Sequence, residues 1–238
     1  SAVGVASHSE GGSTVAVGAA SHAEGGYTIA GGDYSHAEGG ESISGGDYAH
    51  AEGENTKANG SASHAEGYNT RATGSRAHSE GTGTQATGSY SHAEGNGSVA
   101  TNNSAHAEGI GTYCDANAGH TQGRYNMRVS ATLRFPQWES GKEYERGDCV
   151  YNGTTGYQCI TPNSDTTFTS SNWYTLGGTY ADSVGNGFAD ANRSNAYALD
   201  WDGTGHFGGD VYVGCGTNSL GGTKLAKITE VPTEELGS

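Results

Sequence analysis

The sequence predicts an all-β chain: a stack of fourteen-residue coils, then a small antiparallel β module, then a C-terminal β-hairpin cap. Three observations predict it. Nine of the ten histidines stand at 8, 22, 36, 50, 64, 78, 92, 106 and 120, fourteen residues apart without slippage. Within each fourteen, small residues alternate with variable ones, as in Ser35-x-Ala37-x-Gly39 and Thr28-x-Ala30-x-Gly32, and a period of two is the strand period. Apolar residues are sparse and uneven: 26 Leu, Ile, Val and Phe in 238 residues, no Leu before Leu133, and all three Trp in the second half.

The repeat reads Ser-His-Ala-Glu-Gly, as from Ser91 to Gly95, followed by a half-unit Ser/Thr-x-Ala-x-Gly. Two strands and two glycine-containing bends make one coil. The seven-residue half-period does not signal a coiled coil, because the repeated positions carry Ser, Ala and Gly, and each Gly would cost a helix about 1 kcal/mol. Stacked at the strand spacing of about 4.8 Å, nine coils make a rod roughly 40 Å long. Ser, Thr, Ala and Gly are expected to point inward, His and Glu outward. The last copy, Gly119-His120-Thr121-Gln122-Gly123, departs from the pattern and reads as the end of the array. The expected domains are therefore residues 1–128 for the rod, 129–178 for the aromatic module and 179–238 for the cap and a linker.

Alanine methyls yield little at about 25 cal/mol per Å², while ordering each residue costs about 1–2 kcal/mol. Such a thin roll is expected to associate along its length. One outward face carries His22, Glu24, His36, Glu38, His50, Glu52, His64, Glu66, His92, Glu94, His106 and Glu108; the other drifts from Val15, Val17, Ile29 and Ile43 to Lys57, Arg71 and Gln85, then Val99. His and Glu hold their places while neighbours vary, so the ladder is expected to face partner chains, with imidazole donating to carboxylate and acid loosening the assembly. A recent duplication that left the copies alike is the alternative. Metal binding is a third reading, but His and Glu of one strand lie about 7 Å apart along the backbone and neighbouring strands would have to converge. No metal or cofactor is assigned from the sequence.

These residues carry a resemblance. The fourteen-residue repeat of residues 1–128 resembles the head region of trimeric autotransporter adhesins, and its Ser-His-Ala-Glu-Gly form is similar to repeats in tail-fibre proteins of phages that infect Gram-positive bacteria. The resemblance implies a trimeric left-handed parallel β-roll. That family usually lines the interface with Val and Ile, of which the x positions of Thr-x-Ala-x-Gly here retain Val15, Val17, Ile29, Ile43 and Val99.

After Met127 the composition changes: Leu133, Phe135, Pro136 and Trp138 arrive together, followed by Tyr144, Gly147-Asp148, Val150, Tyr157, Cys159 and Trp173. Runs at 148–151 and 157–161 flank Asn152-Gly153-Thr154-Thr155-Gly156 and predict a hairpin. Cys149 and Cys159 are expected to be free thiols, with a cross-hairpin bridge as the alternative. The series resembles the small carbohydrate-binding modules attached to chitinases. That resemblance implies fold positions at Trp138, Tyr144, Val150, Tyr157 and Trp173 and a sugar-stacking position near Phe168, which stands where those modules carry a Trp; the glycan site expected is Phe168 with Tyr151 and Trp173. The alternative is a spacer or protein-contact knob.

Further on, Asn195-Ala-Tyr-Ala-Leu-Asp-Trp201, Asp202-Gly203 and the run from Thr204 to Val213 predict a second hairpin, similar to the ends of phage tail-fibre shafts. Asp200, Asp202 and Asp210 lack calcium-loop spacing and read as solvated turn residues. Lys224 to Leu236 read as a short helix or linker.

Net charge is −15, from 26 acidic and 11 basic residues, which repels phosphate backbones and anionic lipid. Neither nucleic acid nor membrane is an expected partner. The start, SAVGVASHSE, has no signal-peptide pattern and opens mid-repeat, as a segment of a longer protein does. The four cysteines are too scattered for a disulfide scaffold or zinc pairs. Eight His-x-Glu pairs are too many and too regular for one active site, so no enzyme activity is expected. The function expected is a homotrimeric receptor-binding segment of a phage tail fibre or tail tip, extracellular on the virion, contacting other tail proteins and a bacterial surface polysaccharide. A bacterial surface adhesin is the alternative, and part of a tail-associated glycan hydrolase a remoter one.

Overall fold

The computed structural model describes residues 1–126, 135–177, 181–186, 195–199, 205–207, 212–213 and 223–224. Residues 1–126 form a parallel β-solenoid. Each coil has a five-residue strand beginning at the repeat histidine, such as His36–Gly40, and a two-residue strand such as Ile43–Ser44. Each strand pairs in parallel with its counterpart fourteen residues on, His36 opposite His50 and Ala37 opposite Ala51. The long strands make one sheet and the short strands a second.

The inward alternation is as expected for Ser, Thr and Ala. Ala23, Ala37, Ala51, Ala65 and their equivalents are fully buried, with Thr28, Thr56 and Thr84 opposite them. Where Ser precedes the His it closes the bend, because its hydroxyl donates to the carbonyl three residues back, as Ser35 to Gly32 at 2.6 Å and Ser63 to Gly60 at 2.7 Å.

Glycine divides into two roles, one of which corrects the inward reading. Gly32 of the half-unit is buried, and a Cβ there would lie 2.1 Å from the Gly46 carbonyl oxygen. Gly39 of Ser-His-Ala-Glu-Gly is exposed instead, with φ +93, where the backbone turns out of the long strand. Glycine stands there for its conformation and for the closeness of the next coil.

The long-strand sheet does not end at His120. Strand His120–Arg124 pairs in parallel with Asp182–Asn186, His120 opposite Asp182 and Gly123 opposite Gly185. Asp182-Ser183-Val184-Gly185 thus occupies the slots of His-Ala-Glu-Gly, and the aromatic module is an insertion within the array. The sheet then closes by antiparallel pairing of Asp182–Asn186 with Asn195–Leu199 and of that strand with Gly205–Phe207, which is the predicted second hairpin. Its Asp202–Gly203 turn, together with Trp201 and Cys215, lies outside the described residues, as does residue 225 onward. Thr223–Lys224 pairs with Tyr212–Val213.

The module is a three-stranded antiparallel sheet in the order Cys149–Asn152, Thr155–Cys159, Trp173–Gly177. Asn152 pairs with Thr155, so the predicted hairpin turns on two residues, with Gly153 at φ +66. Cys149 faces Gln158 and Cys159 faces Trp173, which places the two cysteines out of register for a bridge to each other; both are buried. Asn117 ties the last module strand to a rod bend through its backbone N–H to the Leu176 carbonyl at 3.0 Å and its side-chain amide to the Thr175 carbonyl at 2.8 Å.

Candidate functional site: a histidine and glutamate ladder beside an aromatic module

In-register parallel pairing stacks identical side chains, and that places every ladder histidine directly above the last. From His22 to His106 the rings repeat at 4.7–4.9 Å with interplanar angles of 10° or less. The ends depart: His8 meets His22 edge-on at 73°, and His120 is tilted 35° from His106. Along each strand Glu lies two residues beyond His, on the same face. Its carboxylate approaches the Nε2 atoms of its own rung and the next at 3.5–4.0 Å, as His64 to Glu66 at 3.8 Å and to Glu52 at 3.5 Å. The ladder residues expected at a partner interface therefore form one continuous half-exposed surface within a single chain.

The stack perturbs its own ionisation. Burial, reinforced by neighbouring imidazoles, lowers His36, His50, His64 and His78 from their ordinary range. The carboxyls share protons along the column: hydrogen bonds to Glu52, then to Glu24 and Glu80 respectively, push Glu38 and Glu66 up to about 7, while the same bonds hold Glu52 below the usual carboxylate range. Glu38 and Glu66 are thus shifted opposite to Glu52 between them, which eases the repulsion of three stacked carboxylates. Beside it runs an open trough of about 810 Å³ lined by Glu10 to Glu66 and their following glycines.

The second outward face is apolar at its start, where Val3, Val17 and Ile29 are exposed. Its positions then turn polar, from Lys57 through Arg71 to Gln85, before half-buried Val99.

In the module, Phe168 packs against three rings: Trp138 edge-on at 5.6 Å, Tyr157 at 4.8 Å and Trp173 stacked at 5.5 Å. Trp173 is 5% exposed and joins Tyr144, Val150 and Cys159 in the core of that face. Tyr151 belongs to the opposite face, against Phe135, Cys149 and Leu176. The three residues assigned to glycan stacking are thus split between two faces, with Phe168 and Trp173 together and Tyr151 apart. Sequence reasoning did not single out Tyr174, which is 39% exposed and opposite Gln158. Its signal was the alternation of Trp173 and Tyr174 about a strand whose inward residue is the tryptophan.

No protein-family model matches the chain, and no curated protein matches it in sequence.

Proposed function

We propose that the chain is a structural and receptor-binding segment of a phage tail fibre or tail tip, trimeric along the rod, that presents an aromatic module to a bacterial surface polysaccharide. The observation that carries this reading is the interrupted repeat. Strand His120–Arg124 pairs directly with Asp182–Asn186, so the shaft continues past the module, which is a side branch tied to the rod at Asn117. A repetitive shaft with a lateral aromatic module is suited to display, and three linked weak sites raise apparent affinity by roughly 10²–10⁴ without a new contact.

Association along the rod is supported by the core itself. Within the solenoid the buried side chains are Ala, Ser, Thr, one Cys and one Asn, while the ladder leaves desolvated polar atoms facing outward. Glycan contact is supported on one face by Tyr174, which shares the side of Tyr151, and on the other by the uncovered part of Phe168.

The test is retention of the full chain on cell-wall polysaccharide. Tyr174→Ala and Phe168→Ala are compared at a temperature where both keep the parent far-ultraviolet circular dichroism. Retention of the parent chain with loss in at least one variant supports the reading. A parent chain that passes through every polysaccharide unretained, or variants both retained as the parent is, removes glycan recognition from the module.

A further inference from the structure

We infer that the ladder binds divalent transition-metal ions of the zinc type, one to each His–Glu–His or Glu–His–Glu set, using donors from consecutive coils of a single chain. Along one strand His and Glu are too far apart in backbone terms to chelate alone. The coil stacking removes that obstacle, because the next rung brings a second imidazole or carboxylate alongside. Donor atoms of His64, Glu66 and His78 all lie within 4.8 Å of one another. The same holds for His106–Glu108–His120, His8–Glu10–His22 and Glu24–His36–Glu38, which gives four sets that share no residue.

A second, independent observation marks these atoms as donors to a ligand. The Nε2 atoms of His22, His36, His50, His64, His78, His92 and His106 have no hydrogen-bond partner and almost no solvent contact. For six of them, all but His92, a carboxylate stands at 3.5–4.0 Å, longer than a well-formed hydrogen bond. A desolvated, unpaired polar atom is costly wherever it occurs, and seven in one column leave a row of lone-pair positions aimed at neighbouring carboxylates.

The geometry suits a small tetrahedral ion. With metal–ligand bonds of about 2.1 Å, donors of a tetrahedral site stand about 3.4 Å apart. His64 Nε2 lies 3.8 Å from Glu66 Oε2, so the pair closes by a few tenths of an ångström. Mixed imidazole and carboxylate donors select zinc, cobalt or nickel over calcium and magnesium, which take oxygen ligands. Three protein donors leave a fourth position for water or for a group from another molecule. Metal binding of this kind does not require the trimer.

The experiment uses the full chain stripped with EDTA, titrated with cobalt(II) and then displaced by zinc(II). The visible ligand-field spectrum reports low coordination number, and metal analysis after gel filtration reports stoichiometry. About four ions per chain are expected, one for each independent set. The double variants His64→Gln/His78→Gln and Glu66→Gln/Glu80→Gln each remove both sets that use His78 and should each lose about one ion, while His206→Gln, outside the ladder, should lose none. Fewer than one cobalt per chain at saturation, or a stoichiometry unchanged in both ladder variants, overturns the inference. Light scattering on the stripped sample reads the oligomer separately, so failure of the metal site and failure of the trimer are distinguishable.

Discussion

Adjacent glycines in one coil should respond to the same substitution in opposite directions. At Gly39 the backbone has φ +93, and a Cβ would lie 2.1 Å from the Gly53 carbonyl oxygen of the next coil. An ordinary carbon–oxygen contact is about 3.3 Å, so Gly39→Ala must push two coils apart by roughly 1 Å. Left-handed strain costs about 1–2 kcal/mol, and two coil-to-coil hydrogen bonds contribute about 1 kcal/mol each. Together these give a loss of about 3–4 kcal/mol, or roughly 10 °C in melting temperature for a chain of this size. Gly40 has no left-handed φ, and its added Cβ would meet only the Glu54 Cγ at 3.9 Å. Gly40→Ala should therefore stabilise by about 0.4–1 kcal/mol through the unfolded chain. Thermal melts followed by circular dichroism compare the two variants with the parent. A Gly39→Ala protein that melts with the parent, or a Gly40→Ala protein that falls as far as Gly39→Ala, would refute this stacking of coils.

Three further outcomes follow from the same geometry. Ala49 takes the place of the bend-closing serine with Gly46 three residues back, so Ala49→Ser should add the hydroxyl bond seen from Ser35 and Ser63 and raise stability by about 1 kcal/mol in a denaturant melt. Glu66, at about 7 against an ordinary 4.5, binds its proton more tightly when folded; its contribution is complete below pH 4.5 and is lost as pH rises through 7. Glu66→Gln keeps a neutral donor at every pH, so its melting temperature in EDTA should match the parent at pH 5 and exceed it at pH 8. The lowered imidazoles act in the opposite sense, their contribution being present above 6.5 and lost as pH falls through the folded value, and they are common to both proteins. Cys114 and Cys159 are almost wholly buried, with thiols pushed up by burial, so native alkylation followed by peptide mapping should leave both unlabelled until denaturant is added.

The fourteen-residue period made the coils legible because parallel in-register pairing places equal residues at equal heights, and His and Glu mark that height in every copy. Small-residue alternation likewise identified Ala37 and Thr28 as interior. The return of the chain at Asp182 was not legible, since pairing across 62 residues leaves no local trace once His and Glu are replaced by Asp and Val. A faint signal was present in Gly185-Asn186-Gly187, which matches Gly95-Asn96-Gly97. In the module, composition identified the aromatic residues but could not say which were inside: Trp173 and Phe168 pack on each other, whereas Tyr174 is exposed. Convergence of His and Glu from successive rungs depends on side-chain direction between coils, which spacing along one strand does not contain.

The proposed assembly, three alanine-cored rods joined along the ladder, fixes the mass of the particle in solution. Multi-angle light scattering of the purified chain in EDTA at pH 7.5 tests it most directly. Chains of 24.2 kDa should elute as a single species of about 73 kDa, and a stable, folded species of one chain's mass would contradict the account.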